Sequence, residues 1–285
     1  MKLTSARIFW DRLGLFLLWG SGLLLPAILL FIVGCLVWKG GRVISWEFLS
    51  TLPKGAVLGA AGGILPAIKG TLGLIGLSMA FAAPVALITA VYLAEYGYSS
   101  RADRALYAII TGMVGLPSIL TGMFGYAVFV VYLGFGLSLL SGSLTLAIMV
   151  FPTLVALMRN SILSAADKYR ALGLSLGVSR WYLLLRVTLP AAVPGLVSAA
   201  LLAIGYAAGA TAPIMVTAAV IMSRGSIELT QPVMALPYHL YILFSQHISL
   251  ERAYATALVL LGLLLVCNIA ALVIRKMAQR ETGSL

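Results

Sequence analysis

Charged side chains are scarce in this sequence of 285 residues, because Asp, Glu, Lys and Arg together make up only 9% of it. A soluble domain carries about a quarter charged residues. Cysteine is scarcer still, with two residues, Cys35 and Cys267, that lie far apart in apolar runs. They indicate no disulfide framework and are most simply packing residues. The composition therefore excludes an ordinary soluble domain.

Groups that perform chemistry are also missing. The sequence has no G-x-x-x-x-G-K-[ST] loop, so any ATP would have to bind another chain. The apolar runs contain no Ser/His/Asp or paired-carboxylate constellation, and His239 and His247 have neither a recognised ligand spacing nor a third ligand nearby. We predict a chain that is not an enzyme and that binds no metal or other cofactor itself.

Long apolar runs dominate instead. Five stretches without Asp, Glu, Lys or Arg cover residues 13–38, 70–94, 105–158, 187–223 and 253–274, and about 20 residues suffice to cross a bilayer. The third run is long enough for two spans. The runs lack the period-two alternation of a barrel, so the sequence predicts an all-α, polytopic membrane bundle with six transmembrane helices.

The predicted layout has an N-terminal tail (1–12), a transmembrane domain (13–276) and a C-terminal tail (277–285). The expected spans are residues 13–38, 68–94, 105–133, 140–162, 188–222 and 252–275. The first is too long for a cleaved signal peptide. Residues 164–186 form a loop on one side, and 223–250, with its prolines and polar residues, form a partly buried external hairpin.

The distribution of positive charge predicts the orientation. If the N-terminus is cytoplasmic, thirteen of the 19 lysines and arginines fall on cytoplasmic segments. The excess of Lys and Arg on that side places both termini and the 164–186 loop in the cytoplasm. The net charge of +11 therefore indicates a membrane topology and lipid contacts, not nucleic acid.

The 164–190 segment has the densest helix punctuation. Ser164 and Asp167 form a capping-box pattern that predicts a helix start, and Ala165, Tyr169, Leu172 and Leu176 would share one face. Gly177 is suited to a left-handed C-terminal stop, after which Ser179 can cap a second helix. An ordinary amphipathic linker between membrane helices is the alternative interpretation.

This layout resembles the cytoplasmic coupling loop of ABC importer permeases. The spacing from Gly177 to Pro190 fits that family, but its Glu-Ala-Ala falls on Ala171, Leu172 and Gly173. The resemblance implies a cytoplasmic ATPase dimer that binds ATP and Mg. Without the motif Glu, we expect weaker docking of this partner.

Other phrases resemble the PstA-type permease subunit of phosphate ABC importers. They are GGILPAIKGTL, VYLAEYG, GLPSILTGMFG, LPAAVPGLVSAALLAIG, GATAP and ALPYHLY, and the matches cover residues 62–241. The resemblance implies an ABC type I importer permease in a bacterial or archaeal plasma (inner) membrane, with inorganic phosphate as substrate. It also implies a PstB-like ATPase, a PstC-like second permease in a heterodimer, and an external PstS-like phosphate-binding protein.

The predicted translocation pathway uses the third and fifth spans. Prolines beside polar residues would free backbone carbonyls there, and small residues would let helices approach closely; tight packing without a passage is the alternative. The candidate positions are Pro117, Ser118, Tyr206, Gly209, Ala210, Thr211 and Pro213.

Two of these positions depart from the resemblance. The family's Arg falls on Tyr206 and the Glu of its GETAP on Ala210, positions that would be neighbours on one helical face. Losing both members of a buried ion pair leaves no orphan charge. The charged pair could then reside on the partner permease, or the substrate could be another anion.

A secondary transporter or channel without ATP is a further alternative, although it would usually carry ionisable residues in its spans. An intramembrane enzyme is a third, but it lacks catalytic groups.

Overall fold

A computed structural model describes residues 5–54, 61–96, 100–223 and 228–282 of the chain. Its helices are α1 (Ser5–Gly40), α2 (Trp46–Ser50), α3 (Leu65–Glu95), α4 (Arg101–Met113), α5 (Ser118–Gly125), α6 (Leu139–Ser175), α7 (Arg180–Leu183), α8 (Leu189–Gly209), α9 (Ala212–Thr217), α10 (Leu236–Ser245) and α11 (Leu250–Thr282). Turns of π-helix extend α5 over Tyr126–Tyr132 and join α7 to α8 over Leu184–Thr188. Two short strands, β1 (Pro53–Lys54) and β2 (Ala61–Gly62), pair antiparallel.

Five helical stretches are long and apolar enough to cross a membrane. They cover Trp10–Gly40, Leu65–Glu95, Leu139–Asp167, Arg180–Gly209 and Leu250–Ala270. A bent pair, Arg101–Met113 with Ser118–Tyr132, makes a sixth if it counts as one span. The chain is thus an all-α, polytopic membrane bundle. Helices α1 and α11 extend into the stretches predicted to be terminal tails, 1–12 and 277–285.

The core of the bundle lies between α3 and α6. Their contact surfaces consist of fully buried aliphatic and small side chains, such as Ala86, Leu93, Val150 and Leu154. Helix α8 packs on α6 through alanines, α11 packs on α8, and α1 packs on α11. The apolar window of α1 has no buried residue, so most of its surface is left uncovered by the rest of the chain. Small residues in the centre let the three inner helices approach closely.

Two of the predicted spans are not continuous helices. The span expected at 105–133 ends as a helix at Met113 and resumes at Ser118, with a bend of 103°. The span expected at 188–222 begins earlier, at Arg180, and its helix ends at Gly209. Pro117 accounts for the first break, because it lacks an N–H and disfavours the helical conformation in Leu116 before it. At the second break Ala210 has an extended ψ of 111°, and Pro213 lies in the first turn of α9.

The predicted helix start at Ser164 is wrong. Helix α6 runs without interruption from Leu139 to Ser175, past the span end expected at residue 162. Burial overrides the capping signal, since Ala165 and Ala166 are 8% and 2% exposed against the bundle. The loop expected at 164–186 therefore shrinks to the few residues between α6 and α7. Gly177 lies in this turn with a φ of +74°.

The segment expected to be an external hairpin at 223–250 is folded into the bundle, as far as its described residues extend. Residues 218–220 pair with Val233 through backbone hydrogen bonds. The N–H of Leu236 donates to the buried Thr71 Oγ1 at 2.8 Å. Helix α10 follows and packs on α11 and α3. The expectation of partial burial is confirmed, with a helix in place of a simple hairpin.

Candidate functional site

The two broken spans meet where each is broken. A Cβ added to Gly122 of α5 would lie 2.8 Å from Pro213 Cα and 3.2 Å from Val216 Cγ2, so α5 and α9 are in backbone contact. Such an approach requires glycine. Pro117, the N-cap residue of α5, is exposed, and Ser118 is half-buried. The structure thus brings the predicted pathway residues of the third and fifth spans into one region.

An open cavity of about 250 Å³ lies beside this crossing. It is lined by Met113, Leu116, Leu120, Thr121, Phe124, Ile148, Met149 and Tyr206. None of these described lining residues is charged, and only Thr121 and Tyr206 bring a side-chain hydroxyl. Moving an ionised group into such surroundings without a partner carries a large desolvation cost. The cavity itself is therefore suited to hydrogen bonding and apolar contact, and a charge partner for an anion would have to come from elsewhere.

Residues 206–211 do not form the continuous helix that the sequence suggested. Helix α8 ends at Gly209, which is exposed, and Ala210 is its C-cap residue with an extended ψ of 111°. Tyr206 is 44% exposed whereas Ala210 is 9% exposed. Thr211 is half-buried. Position 210 thus lies at a helix end, where the first free carbonyls are, and not in the middle of an α-helical face.

The turn between α6 and α7 is tightly built. Gly173 is buried, and a Cβ there would come within 2.7 Å of Leu183 Cδ1, so the end of α6 rests on α7. The N–H of Val178 donates to the Gly173 carbonyl at 3.1 Å. Ser179 caps α7 by accepting the Tyr182 N–H at 3.3 Å. The predicted glycine stop at Gly177 and the cap at Ser179 are both confirmed.

This turn presents a protruding apolar surface. Leu176 is 79% exposed, and Trp181, Tyr182 and Leu185 are each more than half exposed. Of the other residues predicted for this site, Tyr169 is 40% exposed, Ala171 is exposed, and Pro190 is half-buried in the first turn of α8. The Leu172 side chain lies outside what the structure describes. An exposed apolar patch of this kind is typical of a protein–protein or membrane interaction site.

One contact near the turn escaped sequence reasoning. Glu95, the last residue of α3, accepts a hydrogen bond from the Arg170 guanidinium of α6. The Glu95 side chain is 11% exposed and that of Arg170 is 37% exposed. The two residues are 75 positions apart in the chain. The VYLAEYG phrase contains Glu95 and the 164–186 segment contains Arg170. Neither pattern predicts that the two residues pair.

The other side of the molecule holds a buried histidine in α10. His239 is 7% exposed, and its Nδ1 lies 3.3 Å from Thr256 Oγ1 of α11. Burial, with a smaller effect from the Arg252 charge, lowers the pKa of His239 to about 4. Arg252 in turn donates to the Gly62 carbonyl at 2.8 Å. The described residues contain no group of three or more His, Cys, Asp or Glu that could hold a metal ion. His239 thus packs between α10 and α11 with its ring against Thr256.

The long apolar helices and the two broken spans define a polytopic membrane protein. The family of binding-protein-dependent transport system inner membrane components matches residues 82–282, and the chain belongs to this family.

Two relatives align with most of the chain. The phosphate transport system permease protein PstA 1 of Mycobacterium tuberculosis (strain CDC 1551 / Oshkosh) is 32% identical over 223 residues, which are 78% of this chain and 73% of that protein. The phosphate transport system permease protein PstA of Pasteurella multocida (strain Pm70) is 29% identical over 245 residues, covering 83% and 85%.

Solved structures share the fold. A chain of the inward-facing MetNI methionine ABC transporter superposes with a TM-score of 0.61 at 17% identity, covering 75% of this chain and 97% of that one. A chain of a bacterial alginate ABC transporter, in complex with its pentasaccharide-bound periplasmic protein, gives a TM-score of 0.58 at 18% identity and covers 94% and 95%. The architecture is that of an ABC importer permease.

Proposed function

We propose that this chain is the permease subunit of an ATP-driven importer for inorganic phosphate, and that it forms half of the translocation pathway. The observation that carries the proposal is the family match over residues 82–282, together with 32% identity to a phosphate transport permease. The meeting of two broken spans at Gly122 and Pro213 supports a pathway there. Broken helices at membrane depth are tolerated where they line a cavity or are buried in protein.

The ATP would be hydrolysed on a partner chain. In our proposal a cytoplasmic ATPase dimer docks on the turn between α6 and α7, through the exposed Leu176 and Trp181. Closure of the two ATPases on ATP would move this turn and so alternate the access of the pathway. An external phosphate-binding protein would deliver the substrate on the opposite face. This orientation, with both termini in the cytoplasm, follows from the excess of Lys and Arg on that side.

Recognition of the phosphate charge would fall to a second, different permease. The described lining of the cavity beside Tyr206 is uncharged, and a phosphate dianion needs positive or hydrogen-bonding groups to replace its water. A heterodimer in which the partner carries the charged pair satisfies this need. Tyr206 and Thr121 would then supply hydroxyls from this side.

A second candidate is a permease for another small oxyanion, because Tyr206 and Ala210 stand where the phosphate permeases that the sequence resembles carry an Arg and a Glu. Uptake of radiolabelled phosphate by the whole complex in proteoliposomes, with ATP inside, separates the two. ATP-dependent phosphate uptake supports the first proposal, and uptake of a competing oxyanion such as sulfate in its place supports the second.

The double variant Tyr206→Arg with Ala210→Glu extends this test. If the native complex moves no phosphate and the double variant gains none, the phosphate assignment is wrong. Ala210→Glu alone serves as the control, since an unpaired carboxylate at a buried position destabilises the fold.

A further inference from the structure

Each end of helix α3 contacts a different segment of the chain. At one end the backbone of Gly70 lies directly against the carbonyl oxygen of Met234, and Thr71 accepts the N–H of Leu236 at 2.8 Å. At the other end Glu95 pairs with Arg170 of α6. The helix contains 31 residues, which corresponds to a length of about 46 Å at 1.5 Å per residue. It therefore connects the segment before α10 with the far end of the bundle.

Arg170 lies close to the proposed ATPase-docking turn. Arg170 lies three residues before Gly173. Because Gly173 has no side chain, Leu183 of α7 can pack on α6 there. Helix α6 is continuous through both residues and ends at Ser175. A displacement of the turn would consequently reach Arg170 through rigid helix, without an intervening hinge. Rigid elements joined by specific contacts are a means by which two distant sites are coupled.

The environment of the pair sets it apart from an ordinary surface ion pair. The Glu95 side chain is only 11% exposed. The external pair of Lys54 and Glu47 is 3.8 Å apart, with side chains that are 66% and 70% exposed. Solvent and salt screen an exposed pair strongly and a partly buried pair much less. Removing one member of the Glu95 pair leaves the other charge without its partner, which has a larger effect than the same change at Glu47.

We propose that Glu95 is a positioning residue for ATP-driven transport. Through Arg170 it ties the docking turn to α3, so that ATPase closure moves α3 together with the segment held at Gly70 and Thr71. This inference rests on the proposed function, because it requires an ATPase partner at the turn.

The test uses the complete complex with its native partners in proteoliposomes, with phosphate as the probe. Glu95→Gln and Arg170→Gln are each expected to lower phosphate uptake per ATP hydrolysed several-fold. The variant that carries both substitutions is expected to be no worse than either single one, because the two residues act as a pair. The charge exchange Glu95→Arg with Arg170→Glu is expected to recover part of the ratio. Glu47→Gln, which disrupts the exposed pair, should leave the ratio unchanged.

The outcomes separate this inference from the proposed function. A native complex that neither hydrolyses ATP nor takes up phosphate contradicts the proposed function. A native complex that transports, with an unchanged ratio in Glu95→Gln and Arg170→Gln, overturns only the role of Glu95. If the single variants fail to assemble, the variant with both substitutions decides, since it leaves no orphan charge. A native ratio in that variant overturns the inference, and a lowered ratio supports it.

Discussion

Gly122 of α5 and Pro213 of α9 are in direct backbone contact, with only 2.8 Å between the Pro213 Cα and the place where a Gly122 Cβ would be. Each residue lies just beyond a break in its membrane span. The contact therefore joins two short helices that have separate connections to the bundle. Its closeness makes the relative position of α5 and α9 sensitive to a single methyl group.

Substitution Gly122→Ala tests this closeness. The added Cβ would push against backbone, which cannot rotate away, so we expect a loss of about 1–3 kcal/mol of stability and reduced ATP-dependent uptake. Thermal unfolding of the purified protein in detergent and uptake in proteoliposomes measure the two effects. Gly76→Ala is the matched control, because nothing lies within 4 Å of its added Cβ in α3. Equal melting temperatures for the two variants would refute the close contact.

The turn between α6 and α7 allows a compensation experiment. In Gly173→Ala the new methyl meets Leu183 at 2.7 Å from Cδ1. Because the Leu183 side chain is buried, it has little room to turn away, and we expect α7 to be displaced. The variant should recover several-fold less ATPase subunit on affinity purification. Leu183→Ala in the same chain removes the obstructing atoms and should restore part of the recovery. Full recovery in the single variant would show that the position of α7 does not matter for docking.

Hydropathy alone predicted a helical membrane bundle, because about 20 apolar residues can satisfy their backbone in a bilayer only as a helix. It predicted six spans, and the described residues contain five candidate spans, or six if the bent pair counts as one. Local signals succeeded where the backbone itself is constrained, as at Gly177, whose φ is +74°. They failed at Ser164, where a good capping pattern lies inside a helix whose next two residues are buried. That burial depends on packing against distant segments, which the local sequence does not show.

For the candidate site, the sequence likewise predicted local features but not the contacts between distant segments. Pro117 and Pro213 marked the two breaks, but their meeting through Gly122 depends on the packing of distant segments. The pairing of Glu95 with Arg170, 75 positions away, could not be derived from either segment alone. The assumed helix through Tyr206 and Ala210 ends at Gly209 instead.

Thr71→Val tests the attachment of the segment before α10. The substitution keeps the shape of the side chain but removes the acceptor of the Leu236 N–H, which is buried and 2.8 Å away. An unsatisfied buried N–H costs about 1–3 kcal/mol, so we expect a lower melting temperature. Thr89→Val is the control, because the Thr89 hydroxyl bonds only the Val85 carbonyl of its own helix. A melting temperature equal to that of the control would contradict the role of this bond.

His239 should make stability depend on pH. Its pKa is lowered from 6.5 to about 4 in the folded chain, so the unfolded chain binds the extra proton first. Stability is then complete above pH 6.5 and falls as the pH drops towards about 4, by about 3 kcal/mol at most. Thermal unfolding at pH 7.5 and pH 5 measures the difference.

The matched variants are His239→Gln and His247→Asn. We expect His239→Gln to remove much of the difference between the two pH values. His247 is exposed and has a φ of +52°, a conformation that asparagine tolerates, so His247→Asn should retain the difference. A pH dependence that persists in His239→Gln would mean that another group causes it.

Affinity purification of the chain from its native membrane, followed by mass spectrometry, shows whether it belongs to an ATP-driven importer. We expect an ATP-binding subunit and a second, different permease to be recovered with it in stoichiometric amounts. Recovery of the chain alone, or only with copies of itself and without an ATPase, would contradict the assignment as an ATP-driven importer subunit.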